Sequence, residues 1–263
     1  MYEAKNHTYV VCAYKDSPYL NECLDSLYCQ TIKSNIVIVT STPSSYLFDI
    51  AKKYSCPLLV RSGESDIADD WNFGISIAQT PLATIAHQDD VYSRDYTEQM
   101  LSAVNSVENS FLIYFSNYGE IRDGQRIHDS KLLNVKKLLL RPLLIRRFCD
   151  SVFVKRSVLA LGNPICCPSV TFNLDRLPRP VFKKGFRSNL DWDAWERFSR
   201  LKGSFVYNDR TCIYHRVHRD SETSACIIDD TRSKEDLSML TRFWPEPIAK
   251  LINLAYKRAQ ANN

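Results

Sequence analysis

The stretch HTYVVCAYKDSPYLNECLDSLYCQTIKSNIVIVT, residues 7–40, decides the fold. His7 to Ala13 is a short apolar run and reads as a buried strand. Ser17-Pro18 follows, with Ser17 placed as a helix cap and Pro18 at the first helical position, where a missing N–H does no harm. Leu20, Leu24 and Leu27 then recur at helical spacing. Asn35 to Thr40 is a second strand, nearly all apolar, as a parallel strand covered on both faces should be.

The alternation continues outward. Tyr46–Tyr54 reads as a helix, Pro57–Arg61 as a strand, Ile67–Gln79 as a helix and Leu82–Ala86 as a strand. Ser93 is placed to cap a helix carrying Tyr96, Met100, Val104 and Val107, and Phe111–Ser116 is again a strand. Strands and helices in turn predict a doubly wound, mostly parallel α/β sheet flanked by helices. Beyond it the pattern changes. Asp123-Gly124 predicts a hairpin between Tyr118–Ile121 and Arg126–His128. Lys131–Phe148 reads as a helix interrupted by Pro142, and Lys155–Leu161 as a short helix stopped by Gly162. Leu190–Leu201 is helical, Ser204–Tyr207 and Thr211–Val217 are strands, and Lys234–Phe243 and Pro247–Ala259 are terminal helices. No repeat or low-complexity linker divides the chain. It is read as one domain, 1–263, in which 117–225 elaborates 1–116 and 226–263 supplies the last helices.

Composition narrows the function. Hydrophobic residues make up 44% and charged residues 24%, which excludes disordered and fibrous classes. Only 7 of 263 residues are glycine and no two form GxG, so a glycine-rich phosphate cradle is excluded. The net charge of +4 is too mild for a nucleic-acid partner. Nine cysteines without a CxxC fit reduced, buried thiols. A polar N-terminus and the lack of any apolar run near 18 residues predict neither signal peptide nor membrane span, and so a cytoplasmic location.

Ligands of open parallel sheets bind beyond the carboxyl ends of the strands. Three polar sequences fall there: Ala13-Tyr14-Lys15-Asp16, Thr40-Ser41-Thr42 and His87-Gln88-Asp89-Asp90. Asp89 and Asp90 repel one another unless a cation lies between them, so they read either as a metal site or as a loop and helix cap. Asp191, in Asn189-Leu190-Asp191-Trp192-Asp193, is either a helix cap or a general base. His215, Arg216 and His218 either meet a diphosphate or metal, or decorate a surface strand. Val135–Phe148 (VKKLLLRPLLIRRF) is either a core-packing helix with a basic face or a dock for an anionic membrane.

Taken together, these segments resemble glycosyltransferase family 2, the nucleotide-diphospho-sugar transferases of GT-A fold. Residues 10–31 (VVCAYKDSPYLNECLDSLYCQT) resemble its opening strand, aromatic loop and first helix, and 67–78 (IADDWNFGISIA) its asparagine-and-glycine helix. His87–Asp90 stands at its acidic metal motif. Residues 191–197 (DWDAWER) resemble the acidic stretch before its acceptor-side helix, and 215–224 (HRVHRDSETS) its Arg-x-His segment. The resemblance implies an inverting transfer from a nucleoside-diphosphate sugar to a hydroxyl of a glycan or lipid-linked acceptor, as in surface polysaccharide synthesis. It implies Asp191 as catalytic base, and Mn²⁺ or Mg²⁺ held by Asp89, Asp90, His215 and His218. Donor contacts would come from Tyr14, Asp16, Thr40, Ser41, Asp69, Asn72, Asp89 and Arg216. Asp193 and Trp192 would lie on the acceptor side. Two departures stand out. Thr40-Ser41-Thr42-Pro43 lacks the family's carboxylate after the second strand, and His-Gln-Asp-Asp replaces a run of three Asp. A catalytically degenerate module that binds a glycan or a protein is the alternative. Oligomerisation through the terminal helices stays open.

Overall fold

A computed structural model describes residues 1–107, 110–218 and 231–261. Its strands are β1 (His7–Ala13), β2 (Asn35–Thr40), β3 (Leu58–Val60), β4 (Leu82–His87), β5 (Val91–Tyr92), β6 (Phe111–Arg122), β7 (Gln125–Ile127), β8 (Val170–Asn173) and β9 (Ser204–Val217). They form one sheet in the order β3-β2-β1-β4-β8-β6-β9-β5, with β7 paired to β6. The first four strands are parallel. Beyond β4 the sheet is mixed: β8 runs antiparallel to both β4 and β6, β9 runs parallel to β6, and β5 antiparallel to β9. Helices α1 (Leu20–Tyr28), α2 (Ser45–Lys53), α3 (Ile67–Ile77), α4 (Tyr96–Asn105), α5 (Lys131–Leu140), α6 (Val152–Ser157), α7 (Leu190–Ser199), α8 (Thr231–Leu240) and α9 (Glu246–Ala261) flank it.

β1 shows why the fold is legible. Successive side chains point to opposite faces, so Val10 joins one buried cluster with α3 and α7 while Tyr9 and Val11 join another with α1 and α4. Gly74 of α3 sits directly over β1. A Cβ there would come within 2.4 Å of the Val10 side chain, so only glycine permits this helix–sheet approach. At the hairpin, Asp123 and Gly124 both take positive φ (49° and 77°), matching the tight two-residue turn read from the sequence.

Several boundaries differ from expectation for local reasons. α1 starts at Leu20, because the Ser17 hydroxyl accepts from the Tyr19 N–H in a preceding turn instead of capping a helix. Ser93 likewise donates to Asp95 and does not cap α4. α6 begins at Val152 because Ser151 caps it, accepting from the Val154 N–H. β8 was not anticipated. Its Val-Thr-Phe-Asn carries a buried threonine whose hydroxyl pairs with Thr84. The two strands expected at 204–207 and 211–217 are one, since Asn208-Asp209-Arg210 forms an irregularity against Ser116–Tyr118 and not a turn. Pro142 does end the helical run at 131, in a 3₁₀ turn over Arg141–Leu144. The described cysteines are all unpaired.

Candidate active site

The loops after β1, β2 and β4 are stitched together by their own polar groups. Gln88 brackets Tyr14, accepting from its N–H and donating to its carbonyl, both at 3.0 Å. The Lys15 N–H donates to Thr42 at 2.7 Å, and Lys15 itself has a positive φ of 54°. The Tyr14 ring is left 49% exposed, a flat surface at the carboxyl edge of the sheet. Asp16, expected at the donor, accepts from Ser44, the cap of α2, at 2.6 Å. Thr40 is buried and accepts from the Thr42 N–H. Ser41 donates to Asp70 of α3 at 2.8 Å.

Two other expected donor residues lie along α3. Asn72 spends its amide on Phe182, donating to the carbonyl at 2.8 Å and accepting from the N–H at 3.0 Å. It therefore fastens a loop 110 residues away while still lining the cleft. Asp69 pairs with Lys184 at 2.7 Å across a cleft of about 580 Å³.

β4, β5 and β9 build the acidic centre. Asp90 is 0% exposed. Its Oδ1 accepts from the Arg216 N–H and faces His215 Nδ1, each at 2.9 Å. Its Oδ2 is buried, makes no hydrogen bond and lies 3.7 Å from His87 Nδ1, and His87 Nε2 is likewise buried without a hydrogen bond. One ligand atom from each of His87, Asp90 and His215 falls within 4.8 Å of the others. A buried carboxylate oxygen without a hydrogen bond, facing one imidazole and near a second, suits a cation. This set is not the expected one. Asp89 Oδ2 instead pairs with His218 Nε2 at 2.8 Å, and His87 takes a place in the cluster. Arg216 also departs from expectation. Its guanidinium donates to the Asp89 carbonyl and to Glu22 of α1, and lies 4.3 Å over the Tyr19 ring, so it braces the loop from behind.

The histidines titrate in opposite directions. Burial pushes His87 down, against the pull of Asp90 and Asp89. Burial also opposes charge on His215, but Asp90 and Asp89 outweigh it and raise the imidazole to about 9. For Asp89 burial is offset by the His218 hydrogen bond and the nearby imidazoles, and its pKa falls.

α7 presents Asp191 in its first turn. Oδ1 accepts from the Trp192 N–H at 2.7 Å and Oδ2 from Asn163 at 2.8 Å. Burial raises its pKa above the ordinary 3.8 despite these bonds and the nearby Arg232 and Lys136. Asp193 differs. Its two oxygens are held by Arg197 at 2.8 Å and by Arg242 of the segment after α8 at 2.7 Å, which makes it a buried brace and not an acceptor contact. Trp192 is 1% exposed and belongs to the core.

Sequence reasoning missed several residues here. Lys136 of α5 turns inward to donate to the Tyr118 hydroxyl at 2.8 Å. Arg232 of α8 acts electrostatically on Asp191 and is linked to Tyr256 of α9, whose ring packs on Gly162 beside Asn163. The terminal helices therefore wall the Asp191 side of the site. Trp71 stacks on His87 at 5.1 Å, a contact that an aromatic at helical spacing could only hint at. Residues 219–224 of the expected C-terminal motif lie outside the described residues.

A parallel half-sheet, an acidic turn after β4, an acid at a helix start and His-Arg on the neighbouring strand define a class: nucleotide-sugar transferases of GT-A fold. The comparisons agree. Residues 8–161 match the family described as glycosyl transferase family 2, and the chain belongs to that family and is a glycosyltransferase. It is 24% identical over 232 residues to an uncharacterized glycosyltransferase of Rickettsia prowazekii (strain Madrid E), covering 87% of this chain and 69% of that one. Among solved structures it is similar to the mannosyltransferase PcManGT of Pyrobaculum calidifontis in complex with GDP-Man and Mn²⁺ (TM-score 0.64, 15% identity, 97% of this chain and 70% of that chain). It is also similar to S. aureus TarS in complex with UDP-GlcNAc (TM-score 0.59, 13% identity, 94% and 70%). A third is the glucosyl-3-phosphoglycerate synthase of Mycobacterium tuberculosis with Mn²⁺, UDP and phosphoglyceric acid (TM-score 0.56, 10% identity, 90% and 78%).

Proposed function

We propose that the chain transfers a sugar from a nucleoside diphosphate to an acceptor hydroxyl in one inverting displacement. His87, Asp90 and His215 would hold the divalent cation, and Asp191 would act as general base. The observation that carries this reading is the convergence of one ligand atom each from His87, Asp90 and His215 within 4.8 Å, with Asp90 Oδ2 buried, free of hydrogen bonds and 3.7 Å from His87 Nδ1. Two imidazoles and one carboxylate suit Mn²⁺ better than Mg²⁺, which prefers oxygen donors. The Mn²⁺ present in the mannosyltransferase and synthase complexes points the same way. A cation held there would supply charge neutralisation for the departing diphosphate. Asn163 and the Trp192 N–H hold the Asp191 carboxylate in place, and burial makes it a stronger base than an exposed aspartate. In its ionised form it would take the hydroxyl proton as the new bond forms. The test is calorimetric titration of UDP- and GDP-sugars with and without Mn²⁺. Donor binding should need Mn²⁺ in the native protein and lose that dependence in Asp90→Asn. Equal affinity under all four conditions sinks the metal assignment.

We further propose that the acceptor is a glycan or lipid-linked saccharide met at a membrane surface, as surface polysaccharide synthesis requires. α5 buries Leu133 and Leu140 but leaves Val135 and Leu138 exposed, and Leu144, Ile145 and Phe153 (81%) follow them on the surface. No acid occurs between Asp129 and Asp150, while Lys131, Arg141, Arg146 and Arg147 are exposed. Such a basic, apolar ridge matches an anionic interface. No described helix is long and apolar enough to cross a membrane. Co-sedimentation with anionic vesicles should be strong at low salt and fade as salt rises; none at low salt refutes the contact.

A further inference from the structure

His87 is the member of the cation cluster that no hydrogen bond orients. Asp90 Oδ1 and His215 Nδ1 fix one another at 2.9 Å. The His87 ring has no such bond on either nitrogen. Its Nε2 is buried without a hydrogen bond, and its Nδ1 stands 3.7 Å from Asp90 Oδ2. A histidine that ligates a metal ordinarily gives its other ring nitrogen to a carboxylate, a carbonyl or a water, and that bond sets the plane of the ring. Here an aromatic face lies against the ring instead. The Trp71 indole stacks on it with centroids 5.1 Å apart and planes 24° apart.

Trp71 is itself held from two sides. α3 is pinned to the sheet where Gly74 lies over Val10, three residues further along, and this fixes how far the indole reaches toward the end of β4. The buried Phe182 ring meets the indole edge-on at 4.8 Å. The Phe182 backbone is tied in turn to the Asn72 amide, next to Trp71, at 2.8 and 3.0 Å. The demand for such a wall comes from the residue type at position 87. A carboxylate offers two equivalent oxygens, whereas an imidazole offers one lone pair in the plane of its ring and must be aimed.

We propose that Trp71 is a positioning residue for His87: its indole face holds the imidazole plane with Nδ1 turned toward Asp90, the pose that a shared cation requires. The inference rests on the metal reading of the site. Its test is titration with Mn²⁺ alone, followed by the paramagnetic resonance signal of the free ion, which falls as the ion binds. Trp71→Leu keeps apolar bulk but loses the stacking face, and should weaken Mn²⁺ binding about tenfold. Trp71→Met carries the same expectation if the leucine variant does not fold. Trp71→Phe keeps an aromatic face and should stay within about threefold of the native protein. In His87→Asp there is no ring to aim, so adding Trp71→Leu should change the affinity by less than about twofold. A merely structural Trp71 would cost the same in both backgrounds. Equal losses in the native and His87→Asp backgrounds, native affinity in Trp71→Leu, or a loss in Trp71→Phe as large as that in Trp71→Leu overturns the positioning role alone. Failure of the native protein to bind Mn²⁺ overturns the metal reading beneath it.

Discussion

Asp90 and Asp193 are both buried carboxylates, each one member of a close acidic pair, and each beside a basic residue of a distant element. Their partners separate them. Both oxygens of Asp193 are taken by arginines, so its charge is neutralised within the fold. Asp90 has one oxygen bonded by the Arg216 N–H and His215, and the other, buried, makes no hydrogen bond and faces only His87 Nδ1 at 3.7 Å. The first acid is complete and contributes to stability. The second is incomplete, and its cost is tolerable only where something outside the chain completes it. Asp191 stands between these cases: bonded at both oxygens by neutral donors, yet raised in pKa because those bonds do not balance its burial.

The largest expected effect tests that intermediate position. Asp191→Asn should lower kcat by about 10²–10⁴-fold with little change in donor affinity. Its pH profile sharpens the point. The base must be ionised, so activity falls as pH drops through its pKa, and burial moves that acid limb above 3.8. A native profile flat to pH 4 with full activity in the variant would remove Asp191 from the chemistry. Next comes Asp193→Ala, which strips the partner from Arg197 and Arg242 and should cost about 3–5 kcal/mol in denaturant unfolding. If Asp193→Ala melts like the native protein while its transfer rate collapses, the division between bracing and reacting acids is the wrong way round.

The parts of this comparison differ in how far sequence reveals them. Strand β1 and helix α1 announce themselves because every residue answers to one burial pattern, and so does α7, whose Trp192, Trp195 and Phe198 share the core. The four-residue β8 did not, since Val-Thr-Phe-Asn is too short for periodicity and its threonine is buried through a partner 87 residues away. Which residues gather at the acidic turn was legible from position. What each one does was not. Asn72 is tied to Phe182, Arg216 to Glu22, and Asp193 to Arg242, and all three partners are remote in sequence. Asp70 reached Ser41 by the same route, through packing of α3 on the sheet. Local patterns report burial and spacing; saturation of a polar group is a property of the assembled fold.

His7 extends the comparison to histidines and carries the smallest predicted effect. It is fully buried like Asp193 and equally complete, with Nδ1 bonded to Ser34 and Nε2 to Thr84, both at 2.9 Å. Burial alone pushes its pKa from 6.5 down to about 3. Between those values the unfolded chain binds a proton that the folded chain refuses, so its contribution to stability is intact above pH 6.5 and is lost as pH falls toward 3. At pH 5 the loss should be about 2 kcal/mol relative to pH 7.5. His215 titrates with the opposite sign, because its pKa is raised, so the total acid response of the protein mixes the two. Urea unfolding of native and His7→Asn proteins at both pH values isolates the difference: the variant, lower in stability at pH 7.5, should lose about 2 kcal/mol less on acidification. Parallel losses in both proteins would mean that the buried His7 ring accepts its proton without unfolding, and that satisfied hydrogen bonds do not distinguish it from the histidines of the acidic turn.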